Sequence, residues 1–291
     1  MSHTIAVLSY SDEFYSTQRL MEVGQSLGHR MLVMNPFSLT LTAESDGIRL
    51  KDRGRTIEVP DVIVPRVGAV LTEWNLGVVD ALIQAGARSA VTRDALALAS
   101  DKARTSVRLA QRGLPMVPTH ILREREDIDP VLEALQDESC VLKLPHGTQG
   151  RNVVGATSRQ AAKKQLQRWI SEGHVVLVQP WIRMAEPRDL RVLIIGNQAF
   201  GCAWRIAAEG EFRSNLYQGG KARRATLTDE AKRVAEAAAQ ALNLTCGAVD
   251  LIETPEGLAV LEVNGCPGFK SIESTSNLDA ATPWLEAAIH G

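Results

Sequence analysis

The chain has 291 residues, enough for two or three domains with a sizeable core. Its 45% hydrophobic and 23% charged content are those of an ordinary globular protein, and a net charge of −2 gives no electrostatic basis for a nucleic-acid footprint or for attachment to an anionic membrane. No apolar run approaches the roughly 20 residues that span a bilayer, and the start, MSHTIAVLSYSDE, lacks the basic region of a signal peptide, so the expected location is the cytoplasm.

Residues 4–9 form an apolar, partly β-branched run that predicts a buried parallel strand. A helix follows over Phe14 to Leu27, with Leu20, Val23 and Leu27 on its inner face and Gly28 just past its end. Residues 30–35 predict a second strand, 47–59 a hairpin around Arg53-Gly54, and 62–65 a third core strand. Thr72 can cap a helix that runs to Ala85 with Trp74, Val78 and Leu82 inward. This alternation predicts an α/β domain up to about residue 93, and the absence of GxGxxG after its first strand disfavours a dinucleotide site.

Asp101 and Lys102 open an amphipathic helix to Arg112. The acid suits the helix dipole and the lysine opposes it, which fits either a functional lysine or a solvated one. Residues 140–144 predict a strand that places Lys143 among apolar neighbours, a costly position unless it meets an anion. The loop Pro145 to Asn152 holds two glycines and several donors and then enters another strand, Val153 to Ala156. It can present N–H groups to phosphates or serve turn geometry alone, and it is not a Walker A loop. Ser158 caps a helix to Ile170, and residues 174–182 predict a strand that Pro180 should end.

Strands Leu190 to Ile195 and Ala199 to Ile206 flank the turn Gly196-Asn197. Asp189 and Arg191 share a face, but a strict two-residue turn puts Arg205 on the opposite one, so their convergence requires a bulge or a bend. Residues 207–225 are dense in donors and predict an ordered functional loop or a lid. Thr228 caps a helix to Leu242, and Thr282 and Pro283 open a last one. Between them, Gly247 to Ile252 and Leu258 to Asn264 flank Thr254-Pro255-Glu256-Gly257 as a hairpin. Asp250, Glu262 and Asn264 would then offer oxygen ligands for a hard cation such as Mg²⁺, unless the acids simply face water. The four cysteines, Cys140, Cys202, Cys246 and Cys266, form no CxxC pair, and no histidine near Cys266 suggests a nucleophile. An acidic cation site, two lysines, a Gly-rich loop and arginines suggest chemistry on a nucleoside triphosphate.

In order and spacing, LKLPHGTQGRNVV, QPWI, DLRVLIIG, FRSNLYQGG, GAVDLI and EVNGCPGF resemble the RimK-like ATP-grasp ligases, and VIVPRVG is similar to that family's N-terminal segment. The resemblance spans the whole chain. It implies a mixed α/β and α+β chain: an ATP-grasp fold with an N-terminal α/β pre-ATP-grasp domain over residues 1–93, a small subdomain with the Gly-rich loop over 94–183, and a C-terminal subdomain with the metal site over 184–291. It further implies that ATP phosphorylates a carboxylate and that an amine displaces the phosphate to give an amide, ADP and phosphate. By the same resemblance Lys102 and Lys143 contact phosphates, Gly147, Thr148, Gln149 and Gly150 cover them, and Gln179, Pro180, Trp181 and Ile182 line the adenine hinge. Asp189 binds on the sugar side, Arg213, Ser214 and Asn215 serve the lid, and Asp250, Glu262 and Asn264 bind Mg²⁺ or Mn²⁺, two ions being expected. Arg191 and Arg205 face the acyl-phosphate as catalytic residues. The implied partners are ATP, an amino acid such as L-glutamate, and an acceptor carboxylate on a protein C-terminus or a small metabolite, with a homo-oligomer left open and no nucleic acid or membrane. A nucleotide-binding regulatory protein with a relic ATP-grasp fold is the alternative. Two positions depart from the family pattern: Pro180 where relatives often carry an acid, and NGCPGF where close relatives resemble NASPGL.

Overall fold

The computed structural model describes residues 1–45, 47–68, 72–147, 152–183, 187–211 and 219–291. The N-terminal unit runs β1 (Thr4–Leu8), α1 (Tyr15–Ser26), β2 (Arg30–Met34), β3 (Leu39–Glu44), β4 (Gly47–Asp52), β5 (Arg55–Ile57), β6 (Val62–Pro65) and α2 (Glu73–Gln84). Strands β2, β1 and β6 form a parallel sheet in that order, and Ile5 to Leu8 are fully buried, as a central parallel strand should be. Leu20 and Val23 face inward as expected, whereas Leu27 caps the end of α1 and is 49% exposed. Trp74 also departs from expectation. It lies in the first turn of α2, 42% exposed, and its indole N–H donates to the Pro36 carbonyl at 2.9 Å. The predicted hairpin around Arg53-Gly54 is part of a three-stranded meander, β3-β4-β5, whose first strand was not anticipated although Leu39, Leu41 and Ala43 alternate with polar residues.

Two helices, α3 (Arg93–Ser100) and α4 (Lys102–Gln111), lead into β7 (His120–Leu122), α5 (Ile128–Ala134), β8 (Cys140–Lys143), β9 (Val153–Ala156), α6 (Arg159–Ser171) and β10 (Val176–Pro180). The four strands make an antiparallel sheet in the order β7-β10-β8-β9, and Leu122, Ile128, Leu132, Leu142, Leu166 and Trp169 form its own core with α5 and α6. Ala95, Leu96, Ala99 and Leu109 of α3 and α4 belong instead to the large core that the N-terminal and C-terminal sheets share. Strand β10 ends at Pro180, as the missing N–H requires.

The remaining elements are β11 (Arg188–Ile195), β12 (Gln198–Ile206), β13 (Lys221–Arg224), α7 (Asp229–Ala241), β14 (Gly247–Thr254), β15 (Gly257–Asn264), α8 (Lys270–Glu273) and α9 (Ala281–His290). They build a five-stranded sheet in the order β13-β12-β11-β14-β15, with the buried face of α7 (Val234, Ala235, Ala238) packed on one side. The donor-rich stretch 207–225 therefore includes an edge strand, β13, which its cationic sequence did not advertise.

Two β-bulges fix which residues share the sheet's other face. Gly196 and Asn197 both have positive φ (60° and 67°) and make the expected tight turn. Leu193 then pairs with Gly201 while Ile194 pairs with Ala199, so Phe200 is the extra residue. From there on Arg191 lies opposite Ala203 and Asp189 opposite Arg205, on one face. In the next hairpin Leu251 pairs with Val260 but Asp250 pairs with Glu262, and Leu261 is the extra residue. Without it Glu262 and Asn264 would point away from Asp250.

The N-terminal and C-terminal units are joined by α9, which packs on α1 and β6. Trp284 and Phe269 are buried with ring centroids 6.1 Å apart, and the Arg66 guanidinium lies 5.5 Å and 5.6 Å from them. Trp284→Ala would open a cavity at this junction. It should lower stability by about 3–5 kcal/mol, read as an earlier midpoint in urea titration.

Candidate active site

Helix α4 begins where the two antiparallel sheets meet. The Asp101 carboxylate accepts from the N–H groups of Ala103 (2.9 Å) and Arg104 (3.1 Å), which satisfies two orphan donors of the first turn. The Lys102 N–H donates to the Pro145 carbonyl at 3.0 Å and ties α4 to the loop after β8. The Lys102 ammonium then lies 2.8 Å from the Gly147 carbonyl and 3.2 Å from Glu262 Oε1. The dipole conflict noted at Lys102 is thus compensated by an acid and a carbonyl from two other elements.

Lys143 closes β8 and is only 8% exposed. Burial pushes its ammonium pKa down to about 8; Glu262 opposes that fall and Lys102 adds to it. Lys102, Lys143, Gln179 and Glu262 line one cleft, with Leu109, Val260 and other apolar side chains as its walls. Gln179 is buried and donates to Thr119 Oγ1 at 2.8 Å. The other three hinge residues do not line that cleft. Pro180 pairs with Cys140 in the sheet, Trp181 lies under the Arg183 guanidinium at 6.0 Å, and Ile182 packs against Val117, Ile252 and Ala259. Thr148, Gln149, Gly150, Arg213, Ser214 and Asn215 lie outside the described residues.

The bulged face of the five-stranded sheet carries the densest charge. Asp250, fully buried, accepts from Arg191 Nε on Oδ1 and Arg191 Nη2 on Oδ2, both at 2.8 Å. Its Oδ2 also accepts from Arg205 Nη2 at 2.8 Å and from Asn264 Nδ2 at 3.1 Å. Arg205 donates through Nε to Asp189 Oδ1 at 2.7 Å. Burial would push the Asp250 carboxyl up, but Arg191 and Arg205 outweigh it and hold the group below the usual carboxylate range. Burial likewise works against the Arg205 charge, and Asp250 and Asp189 override it and raise its pKa. Each member is charged because the others are.

The residues suit a divalent cation by donor type. Asp250 and Glu262 are register partners and Asn264 lies on their face, giving two carboxylates and an amide oxygen, all hard donors. Among the described residues no three or more His, Cys, Asp or Glu cluster as a metal site. Asp250 Oδ2 has three donors, but Oδ1 has one and keeps a lone pair for an ion. The four cations Lys102, Lys143, Arg191 and Arg205 exceed the three carboxylates Asp189, Asp250 and Glu262 by one positive charge.

Arg66 was not anticipated. It follows the apolar strand β6 and donates through Nη2 to Ser16 Oγ at 2.9 Å and to the Pro267 carbonyl, and so fastens the loop after Asn264 to the N-terminal unit. Only its position, a cation directly after VIVP, marked it in the sequence. A Cβ on Gly68 would lie 2.7 Å from that of Cys266, and burial pushes the Cys266 thiol up, so this loop is packed and its thiol is not activated.

Antiparallel sheets meeting across a cleft lined by lysines, with an acidic strand pair beside it, are the arrangement of ATP-grasp ligases. Residues 99–288 match the RimK-like ATP-grasp domain and residues 3–96 the RimK PreATP-grasp domain. The chain therefore belongs to the RimK-like ATP-grasp family and is an ATP-dependent, ADP-forming carboxylate–amine ligase. It is 36% identical over 282 residues to a "Probable alpha-L-glutamate ligase" of Picosynechococcus sp., covering 97% of this chain and 94% of that one. It is 34% identical, with the same coverages, to the protein of that name in Serratia proteamaculans. Among solved structures, ATP-grasp ligase PsnB complexed with minimal precursor superposes with a TM-score of 0.76 at 19% identity and covers 99% of both chains, a likeness of fold. Among the described residues no helix is long and apolar enough to cross a membrane.

The depressed pKa of Lys143 has a definite sign in stability. The unfolded lysine gains its proton near the ordinary value of 10.5 and the folded one only near 8. Stability without ligand therefore falls as pH drops from 10.5 to 8 and is level below that. Lys143→Met should remove the cost and stabilise the ligand-free protein at pH 7 by up to about 3 kcal/mol, with no gain above pH 10.5, as followed by thermal melts across pH.

Proposed function

We propose that the protein joins L-glutamate to the carboxylate of an acceptor, either the C-terminus of a protein or a small glutamyl-tailed metabolite. The observation that carries this reading is the convergence of Lys102 and Lys143 with Glu262 at one cleft, beside the Asp250–Arg191–Arg205 network. The relatives' name supplies glutamate. The domain limits proposed are 1–93, 94–183 and 184–291.

In this reading the ATP phosphates lie against Lys102 and Lys143, and Gly147 with Thr148, Gln149 and Gly150 covers them. Arg213, Ser214 and Asn215 also contact the phosphates. Gln179 receives the adenine, Pro180, Trp181 and Ile182 shape the hinge behind it, and Asp189 lies toward the sugar. Asp250, Glu262 and Asn264 hold Mg²⁺ or Mn²⁺, two ions in all, which supplies charge neutralisation on the phosphates. An acceptor carboxylate oxygen attacks the γ-phosphorus and the bond to the β-phosphate oxygen breaks, giving an acyl-phosphate and ADP. The glutamate amine then attacks the acyl carbon, phosphate leaves, and the amine loses a proton. Arg191 and Arg205 stabilise the oxygens on which negative charge gathers in both steps.

Release of ADP should require acceptor and glutamate together. Asp250→Ala and Glu262→Ala should each lower that release by roughly 100-fold or more; unchanged turnover in both would remove the site assignment. Incubation with Mg·ATP, labelled glutamate and a size-fractionated lysate tells a protein acceptor from a metabolite by which fraction takes the label.

The affinity for ATP carries a pH signature as well. Phosphates favour the charged form of Lys143, which in the free protein loses its proton near pH 8. Affinity should be level below pH 8 and weaken by at most about tenfold per unit above it, and Lys143→Arg should flatten the profile. Calorimetric titration of Mg·ATP from pH 7 to 9.5 reads this directly.

A further inference from the structure

Strand β10 turns two side chains into the cleft. Leu177 and Gln179 line it, while Val176 and Val178, by alternation, belong to the core that the small sheet forms with α5 and α6. Leu177 lies opposite Lys143, so the lysine and the Gln179 amide share a face, two residues and about 7 Å apart along the strands. The apolar residues of the cleft include Leu109, Met116, Val117, Leu177 and Val260, a lining suited to the flat face of a base. Gln179 is 5% exposed, and of the four hinge side chains it alone lines this cleft.

An amide by itself can present either edge, because a half-turn of its last torsion exchanges oxygen and nitrogen. Here a neighbour removes that freedom. Gln179 Nε2 donates to Thr119 Oγ1 at 2.8 Å, and the Thr119 hydroxyl donates to the Val117 carbonyl at 2.9 Å. The hydroxyl has a single proton. Val117 is 2% exposed, and among the described residues its carbonyl accepts from no other group, so that proton is committed. Oγ1 is then an acceptor toward Gln179 and needs the nitrogen. A half-turn of the amide would set Oε1 against Oγ1, two acceptors with no proton between them. Oε1 is left to face the cleft: it accepts no hydrogen bond among the described residues and is not sealed from solvent.

We propose that Thr119 is a positioning residue for base recognition: it holds the Gln179 amide with Oε1 toward the cleft, where Oε1 accepts from the 6-amino group of adenine and excludes the 6-oxo group of other purines. This rests on the ligase reading above, which puts ATP in this cleft. An amide free to turn would suit both kinds of purine, offering Nε2 to a 6-oxo group as readily as Oε1 to an amino group. The Thr119–Val117 hydrogen bond makes the choice before the nucleotide arrives. Pro180, next in the chain, has neither an N–H nor a polar side chain to add a second reading.

The test compares wild type with Thr119→Val and Thr119→Ser by calorimetric binding of Mg·ADP and Mg·IDP (inosine diphosphate). The two bases differ only at position 6 and the neighbouring N1, and neither diphosphate supports turnover. Wild type should bind ADP at least about 10-fold more tightly than IDP. Thr119→Val keeps the size of the side chain but cannot accept from Gln179, and it should lower that ratio by about 10-fold. Part of the change should be a gain in affinity for IDP, which damage to the fold does not produce. Thr119→Ser should keep the wild-type ratio. Thr119→Ala, which removes the hydroxyl without putting a methyl in its place, is read in the same way should Thr119→Val not fold. A Thr119→Val protein that keeps the ratio, or that loses affinity for both nucleotides alike, overturns this proposal and leaves the ligase reading standing, as does a wild type that binds ADP and IDP equally. A wild type that binds neither overturns both.

Discussion

Asp250 is a fully buried carboxylate, and the polar residues on its face of the five-stranded sheet keep it charged. An isolated carboxylate in that position would take up a proton, because desolvation disfavours the ion by several kcal/mol. Two guanidiniums and an amide prevent this, and each guanidinium is itself buried or nearly so. Asp189 completes the set by taking Arg205 Nε. Strands β11, β12, β14 and β15 each contribute at least one member, so the network also fixes how these strands are registered. It is a poor source of net stability and a strong source of specificity in charge and position.

That requirement explains the two bulges. A regular hairpin alternates its faces without exception, so any two polar residues in fixed sequence positions meet or miss according to the loop between them. Phe200 shifts Arg205 onto the Asp189–Arg191 face, and Leu261 shifts Glu262 and Asn264 onto the Asp250 face. Each bulge lies within a few residues of the group it redirects. The site is thus assembled by two single-residue irregularities in an otherwise regular sheet.

The lysines come from the opposite side with a different physical logic. Lys102 depends on a helix start fixed by Asp101 and Pro145, and Lys143 on the end of a buried strand. Both are held in cation-unfriendly positions, one at a helix N-terminus and one in an apolar cleft. In such positions an anion would relieve a cost already present in the free protein. The N-terminal unit contributes through Arg66, which binds the Pro267 carbonyl and so sets the height of the loop that follows Asn264.

Much of this was legible in the chain alone. Apolar periodicity placed the strands and the longer helices, and Thr72, Asp101, Ser158 and Thr228 announced their helices because a cap is a local interaction. The acid–acid–amide spacing and the buried Lys143 marked residues that the structure brings to one sheet face and to one cleft. Short elements such as β3, β7, β13 and α5 were missed, because three to seven residues hold too little periodic signal to outweigh their context. Trp74 was placed inward on helical phase, but phase does not say where the neighbouring unit ends, and Pro36 gives its indole a partner at the surface. What only the tertiary structure decided was register. The sequence by itself determined which residues could carry charge, while the bulges at Phe200 and Leu261 decided which of them face one another. A bulge costs little locally and follows from packing across strands, so it leaves no pattern in the chain from which it can be read.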